Sequence, residues 1–152
     1  MHRVLLATAA VAALATALPA AAQFQRPDQA VKYRQSAMAL QNNHLGRIFA
    51  MTSGHVPFDA KVAAENIEIV AMLNKLQFTA FIDGTDKAGN TRAKPEVWTE
   101  KAKFAAAVTQ SQDDVLKLVA AGKTNNLEQI KSAAGAVGQS CKACHDAFQA
   151  ER

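Results

Sequence analysis

Residues 127–148 read LEQIKSAAGAVGQSCKACHDAF, and the spacing of their apolar side chains sets the architecture of the whole chain. Apolar or small residues recur at alternating intervals of three and four, at Leu127, Ile130, Ala134, Val137, Cys141, Cys144 and Phe148. This spacing places them along one side of an α-helix, which we call the apolar seam. Because such a side must be covered, the stretch predicts a helix packed into a helical core.

A cysteine and histidine motif, CKACH, occupies residues 141–145 near the end of this helix. Two cysteines three residues apart, followed at once by histidine, are typical of covalent attachment of c-type haem. Both thiols face the same side of a helix, so each can bond a vinyl carbon of the porphyrin, while His145 can coordinate the iron. Because Cys141 and Cys144 lie in the apolar seam, we expect one covalently bound haem c per subunit, held in the core.

Three other interpretations of the cysteine pair have less support. A redox-active dithiol is expected in a βαβ context, which this chain lacks. A zinc site would need further ligands, and besides His145 the chain offers only His2, His44 and His55, with no second cysteine pair. A disulfide within the pair does not suit the geometry of two residues one helical turn apart.

The first 22 residues predict an export signal. A basic start, residues 1–3, precedes an apolar run over residues 4–18 and small residues of the A-x-A type that end at Ala22. A membrane anchor is the alternative, but the run is near the minimum spanning length and rich in weakly apolar alanine. We therefore predict cleavage before Gln23, a mature domain of residues 23–152, and an exported protein with no membrane association after cleavage.

Size and charge predict one small domain. The predicted mature chain, 152 residues less the 22 of the leader, has 130 residues, enough for one core. Without Arg3 it carries 16 basic and 13 acidic side chains, a net charge of +3, and no block of lysine or arginine stands out. The sequence therefore gives no support for nucleic-acid binding.

Two helices are predicted in the first half of this domain. The first runs from Asp28 to about Met51, with apolar or small residues at Ala30, Tyr33, Ala37, Met38, Leu45, Ile48 and Phe49. The second begins after Asp59, a suitable N-cap, and ends near Leu76 or Thr79. Apolar residues cover a wide arc of the second helix, which predicts contact with a second subunit as well as with the core.

The second half adds a long loop and two more helices. Residues 82–94 form the loop, and Pro95 opens a third helix that ends at residues 121–123. Thr124 or Asn125 is the predicted cap of the fourth helix, which carries the haem motif. No segment alternates like a strand, so the predicted fold class is all-α, an antiparallel four-helix bundle with haem in its core.

Several segments together resemble the cytochromes c-prime, which are bacterial class II c-type cytochromes. They are AVKYRQSA (30–37), GR (46–47), PFD (57–59), PEVW (95–98) and VGQSCKACHDA (137–147), so the resemblance covers the whole mature chain. The place of the haem motif is specific, because class I cytochromes c carry it near the start and supply a methionine ligand much later. Only seven residues follow His145 here, and none is methionine.

The resemblance implies a four-helix bundle that commonly forms a homodimer through its first two helices. It implies a five-coordinate, high-spin haem with histidine on one side and an apolar residue on the other. Members of the family are associated with electron transfer and with binding of nitric oxide and carbon monoxide.

Three further haem contacts follow from the resemblance. Arg34 and Gln35 match the haem-contacting pair of the first helix, and a guanidinium there can neutralise a propionate. The alternative for Arg34 is an ordinary solvated arginine. Arg92 falls near another haem contact of the family, in a loop whose length varies.

Met38 falls where the family places its distal residue, one helical turn from Arg34 on the same face. Three roles are open: core packing, shielding of the open iron face without a bond, or ligation of the iron to give a low-spin electron carrier. The match to the non-bonding residue of the family favours shielding. Four aromatic residues are candidates for either the pocket or the plain core: Phe78, Phe81, Trp98 and Phe104.

One position departs from the family. Members often carry arginine or lysine four residues after the iron histidine, where this chain has Gln149. A nearby cation favours ferrous haem over the more positive ferric form. We therefore expect a lower reduction potential than that of a Gln149→Arg variant.

The sequence thus predicts a periplasmic haem protein that transfers one electron, although it does not name the redox partner. The alternative is a nitric oxide- and carbon monoxide-binding protein that protects against nitrosative stress through the same site. A haem enzyme such as a peroxidase would need a distal acid–base group. Because Met38 supplies none, we predict no enzymatic activity.

Overall fold

A computed structural model describes residues 23–151 of the chain. It contains five α-helices: α1 Pro27–Thr52, α2 Ala60–Phe78, α3 Glu96–Thr99, α4 Lys101–Gly122 and α5 Leu127–Phe148. None of these helices combines the length and the apolar character needed to cross a bilayer. The predicted leader lies outside the described residues, so its cleavage before Gln23 stays a prediction.

The four long helices pack in a ring. α1 packs against α2, α2 against α4, α4 against α5, and α5 closes the ring against α1. All four contribute to the central core, which consists of Leu45, Ile48, Met51, Ala63, Ile67, Val70, Val115, Leu118, Ala121, Ile130, Ala134 and Val137. Short connections join α1 to α2 and α4 to α5, which makes these pairs antiparallel. The predicted four-helix bundle is confirmed.

Local chemistry explains where α2 begins and how closely α4 approaches it. The Asp59 carboxylate accepts from the backbone N–H groups of Lys61 at 2.9 Å and Val62 at 3.0 Å, so it is the predicted N-cap of α2. α4 ends at Gly122, where a Cβ would lie 2.9 Å from the Cδ1 atom of Ile67. Glycine at this position therefore permits the close approach of α4 to α2.

The predicted third helix is wrong as a single element. The helix breaks at Glu100, whose φ of −113° and ψ of 49° are not helical, and leaves the one-turn α3 ahead of α4. The indole N–H of Trp98 donates to the Ile82 carbonyl at 3.3 Å and holds α3 against the long loop. Because this contact joins two separate segments of the chain, helical periodicity along one segment does not predict it.

The predicted cap of the last helix is also wrong, by one residue or two. Asn126 caps α5, because its Oδ1 atom accepts from the backbone N–H of Gln129 at 3.1 Å. Asn125 adopts a left-handed φ of 54°, and the Thr124 hydroxyl donates back to the Ala121 carbonyl at 2.7 Å. Both residues are therefore used in the turn between α4 and α5 and not in the cap.

The end of the long loop is tied to the end of α5. The backbone N–H of Lys94 donates to the Phe148 carbonyl at 2.9 Å, and that of Ala150 donates to the Arg92 carbonyl at 2.8 Å. An isolated antiparallel bridge joins Ala93 to Gln149 between these two bonds. The pairing holds Arg92 beside the last turn of the helix that carries the CKACH motif.

Candidate haem site

A cleft of about 800 Å³ opens among α1, α2, α4, α5 and the long loop. This volume lies within the range of cofactor sites. Seven residues that the sequence identified as candidates for haem attachment or contact line this cleft: Arg34, Gln35, Met38, Arg92, Cys141, Cys144 and His145. The fold therefore brings together residues that are separated by more than one hundred positions in the chain.

Apolar side chains form most of the walls of the cleft, as a porphyrin ring would require. They are Met38, Leu45, Phe49, Phe78, Phe81, Val97, Phe104 and Phe148. The ring of Phe104 stands at the centre of this cluster, 5.0 Å from that of Phe81 and 5.3 Å from that of Phe148, centroid to centroid. Trp98, the remaining aromatic candidate, is not part of the lining.

Both cysteines lie half-buried in the wall that α5 forms. Burial raises the pKa of each thiol above its ordinary value, so both are protonated at neutral pH. A redox-active dithiol depends on a lowered thiol pKa, so this alternative gains no support from the structure. Residues 23–151 also contain no group of three or more metal-binding side chains, as a zinc site would need.

His145 follows Cys144 in the last turn of α5. Much of the residue is exposed, yet desolvation by the surrounding cleft lowers the pKa of its imidazole, and the positive charge of Arg92 lowers it further. Neutral imidazole therefore predominates at neutral pH, and this is the form that binds a metal ion.

Arg34 is only 2% exposed, and its guanidinium fastens the long loop to α1. One terminal nitrogen, Nη1, donates to the Ala80 carbonyl at 3.0 Å and to the Thr85 hydroxyl at 2.8 Å. The other, Nη2, donates to the Thr85 carbonyl at 3.2 Å and to the Thr91 hydroxyl at 2.8 Å. All four acceptors are neutral, and burial lowers the pKa of the guanidinium to about 10. A buried cation with neutral partners only is stabilised by a nearby anion.

Arg92 is a second cation at the cleft without a carboxylate partner among the described ion pairs. One terminal nitrogen donates to the Ala150 carbonyl, whereas the buried Nε–H has no partner within residues 23–151. Gln35 lies at the exposed edge and donates to the Asn90 carbonyl at 2.8 Å.

The residues present fit a haem group. Two thiols and an imidazole lie on one helix in the order that covalent attachment and iron ligation require. Apolar walls would surround the ring, and the two guanidinium groups without a carboxylate partner match the two propionates of a haem in sign and number.

Sequence reasoning missed several residues of the lining. Gln41 and Leu45 follow Met38 at intervals of three and four on α1, so the spacing that identified the apolar seam on α5 could also have identified them. Gln77 on α2 and Ser111 on α4 gave no such signal, because only the packing of the helices brings them to the cleft.

Known proteins resemble this chain along almost all of the described range. The family model described as Cytochrome C' matches residues 29–149. The cytochrome c' of Rubrivivax gelatinosus is 55% identical over 84% of this chain and 98% of that protein. The cytochrome c' of Alcaligenes xylosoxydans xylosoxydans is 40% identical over 86% of this chain and 100% of that protein.

Solved structures agree with the sequence comparisons. The crystal structure of the Rubrivivax gelatinosus cytochrome c' superposes with a TM-score of 0.82 over 84% of this chain and 99% of that one. A ferrous arginine-to-lysine variant of the Alcaligenes xylosoxidans protein with bound nitric oxide, 40% identical, gives 0.80 over 85% and 99%. A carbon monoxide-bound variant of the same protein, also 40% identical, gives 0.79 over 84% and 99%. The chain therefore belongs to the cytochrome c prime family, whose members carry covalently bound haem c.

Proposed function

We propose that this protein is a periplasmic c-type haem protein that transfers one electron. The observation that carries the proposal is the convergence of Cys141, Cys144, His145 and two arginines without a carboxylate partner on one apolar cleft. When bound, the haem supplies one-electron chemistry between Fe(II) and Fe(III). The two thiols would anchor the haem covalently, and His145 would coordinate its iron.

The scaffold holds this site rigid. Ile130, Ala134 and Val137 are fully buried in the apolar seam, so the helix that carries both thiols and the imidazole is packed into the core. Arg34 and Arg92 supply positive charge for the propionates, and Gln35 contributes at the exposed edge. A packed scaffold of this kind reduces the reorganisation that accompanies a change of charge.

Met38 would shield the open side of the iron without bonding to it, so that the haem would be five-coordinate and high-spin. Its half-buried side chain lines the cleft from α1, whereas both anchors and His145 belong to α5. The support for shielding, as opposed to ligation, is the match of this position to the non-bonding residue of the family.

The second candidate function, binding of nitric oxide and carbon monoxide, uses the same site. It is favoured by the two Alcaligenes xylosoxidans structures, which hold these gases. Acid–base catalysis has no comparable support, because no residue of the described helices α1 and α2 that lines the cleft is a carboxylate or a histidine.

We also propose that the protein is exported and that it forms a homodimer. Residues 1–22 are the cleaved leader, and residues 23–152 are the mature periplasmic domain. The mature protein is a homodimer through α1 and α2, which leave Leu40 52%, Val62 41% and Met72 55% exposed.

The test is the optical and electron-paramagnetic spectrum of the purified holoprotein, ferric and ferrous, before and after carbon monoxide. A high-spin spectrum that changes on adding the gas supports an open iron site shielded by Met38. A low-spin spectrum that the gas leaves unchanged contradicts this proposal and assigns a sixth ligand to the iron.

A further inference from the structure

The last turn of α5 takes hydrogen bonds from the long loop. The final four carbonyl groups of an α-helix have no partner within the helix. In α5, one loop residue serves two of these carbonyls. Lys94 donates its backbone N–H to the Phe148 carbonyl at 2.9 Å and its ammonium Nζ to the Asp146 carbonyl, also at 2.9 Å. Lys94 therefore caps the end of α5 from a different segment of the chain, and its positive charge suits that end of the helix dipole.

Two more hydrogen bonds extend this contact beyond the helix. The backbone N–H of Ala150 donates to the Arg92 carbonyl at 2.8 Å, and a terminal nitrogen of Arg92 donates back to the Ala150 carbonyl. We call the segments 92–94 and 145–150, joined by these bonds and by those of Lys94, the loop clamp. It includes the residue that the CKACH motif assigns to the iron.

The loop side of the loop clamp is anchored to the bundle. The Thr91 hydroxyl oxygen accepts from Arg34 Nη2 at 2.8 Å and from the backbone N–H of Ala93 at 3.2 Å. Arg34 is buried on α1. The loop clamp therefore connects the end of α5 to a fixed point of the core through an unbroken series of hydrogen bonds.

The imidazole of His145 has no side-chain partner to orient it. Among residues 23–151, His44 and His55 make hydrogen bonds through their rings, but His145 makes none. Histidines that bind a metal usually gain their orientation from a hydrogen bond at the second ring nitrogen. The direction of the His145 ring therefore depends on the backbone of the last turn, where its carbonyl accepts from the Gln149 N–H at 2.9 Å.

We propose that Lys94 is a positioning residue for the iron ligand. Through the loop clamp it holds the last turn of α5, and with it His145, in the orientation that coordination requires. The inference rests on the proposed haem site and adds to it a residue outside the haem motif. A ligand held by surrounding hydrogen bonds keeps one geometry, whereas a loosened one samples several.

The test compares the ferric holoproteins of wild type, Lys94→Met and Lys94→Arg by electron-paramagnetic resonance. Methionine keeps most of the stem but has no donor, so we expect broader resonances from a wider range of ligand orientations. Exchange of the Gln149 and Ala150 amide hydrogens should speed up roughly two- to tenfold with the loss of one hydrogen bond. Arginine keeps a cationic donor and should restore both properties. Lys131→Met, at an exposed lysine of α5, is the matched control and should behave as wild type.

The two measurements separate positioning from plain stabilisation. Faster exchange with unchanged resonances overturns the proposal, because Lys94 would then only stabilise the helix end, and no change in either property also overturns it. A Lys94→Arg protein that behaves like Lys94→Met overturns it as well. If Lys94→Met does not fold, Lys94→Gln shortens the side chain and removes the charge, and the same broadening is expected. A wild-type spectrum without a histidine-ligated haem contradicts the proposed haem site itself, and the positioning role falls with it.

Discussion

Arg34 has a role in the structure that its position in the sequence does not reveal. The resemblance predicts a haem contact, and the structure adds three hydrogen bonds to the long loop and one to the carbonyl of Ala80, just ahead of it. Its neighbour Gln35 points to the exposed edge and makes one bond to that loop. The two residues adjoin in sequence, but they differ in burial because they lie on different faces of α1.

A single charge placed at Gln149 should change the reduction potential of the haem iron. It is half-buried, lines the cleft, and its backbone N–H donates to the His145 carbonyl at 2.9 Å. We expect Gln149→Arg to raise the midpoint potential by an amount on the order of tens of millivolts, because a cation disfavours the more positive ferric state. Potentiometric titration of both holoproteins measures the change. Gln149→Asn is the neutral control, and equal potentials for wild type and Gln149→Arg would refute the expectation.

Asp114 should stabilise the folded protein at neutral pH, and this stabilisation should be lost in acid. This residue is 5% exposed and accepts from Gln110 and Lys117, each at 3.0 Å. The hydrogen bond from Gln110 is the largest effect on its pKa, which lies below the ordinary 3.8 although burial opposes this. A lowered carboxyl pKa stabilises the fold above the unfolded pKa, and this stabilisation is lost as pH falls through the native pKa.

We therefore expect Asp114→Asn to unfold about 1–3 kcal/mol more easily than wild type at pH 7. The difference should shrink as pH falls below about 3.8, where the wild-type carboxylate also becomes neutral. Urea unfolding at a series of pH values measures this. Asp113→Asn, at the neighbouring exposed position, should change stability by less than about 0.5 kcal/mol. A pH-independent deficit in the Asp114 variant would contradict the mechanism.

At the scale of the helices, capping side chains determine some helix bounds and tertiary contacts influence others. α5 runs from Leu127 to Phe148, the same bounds as the apolar seam. α2 begins after Asp59 because that carboxylate satisfies two free N–H groups of the first turn. α3 is different, since it is separated from α4 by the non-helical Glu100, and its Trp98 donates a hydrogen bond to the long loop.

The Asn126 cap is a testable part of the haem helix. Asn126→Ala removes the acceptor for the Gln129 N–H, and we expect the free energy of unfolding to fall by about 1 kcal/mol. Asn125→Gly is the control, because glycine tolerates the left-handed φ of 54° at that position without strain. Thermal and urea unfolding of the two variants measure both effects. If the Asn125 variant loses more stability than the Asn126 variant, the cap has been placed incorrectly.

At the scale of the whole molecule, the apolar residues left outside the bundle are unevenly distributed. Leu40 on α1 and Met72 on α2 are more than half exposed, although these two helices pack against each other. Leu116 on α4 is 64% exposed on a different helix. An apolar surface shared by α1 and α2 supports the proposed dimer contact.

Charge on this surface should separate the proposed dimer. We expect the double variant Leu40→Glu and Met72→Glu to sediment as a monomer, because two carboxylates per subunit would be buried at the contact. Leu116→Glu introduces the same change at a more exposed site and should leave the dimer intact. Sedimentation velocity of the holoproteins distinguishes these outcomes. If Leu116→Glu alone separates the dimer, the dimer contact involves α4 and not the surface of α1 and α2.

The amino-acid sequence alone was sufficient for the all-α bundle, the apolar seam of α5 and the covalently bound haem c that members of the family carry. These features are local, since helical periodicity, caps and a five-residue motif are all read within a few turns of one chain segment. The tertiary structure was needed for the break at Glu100, the anchoring of the loop by Arg34 and the placement of Gln77 and Ser111 at the cleft. Each of these depends on which faces of separate helices meet, and a pattern along one helix carries no information about the side chains of another.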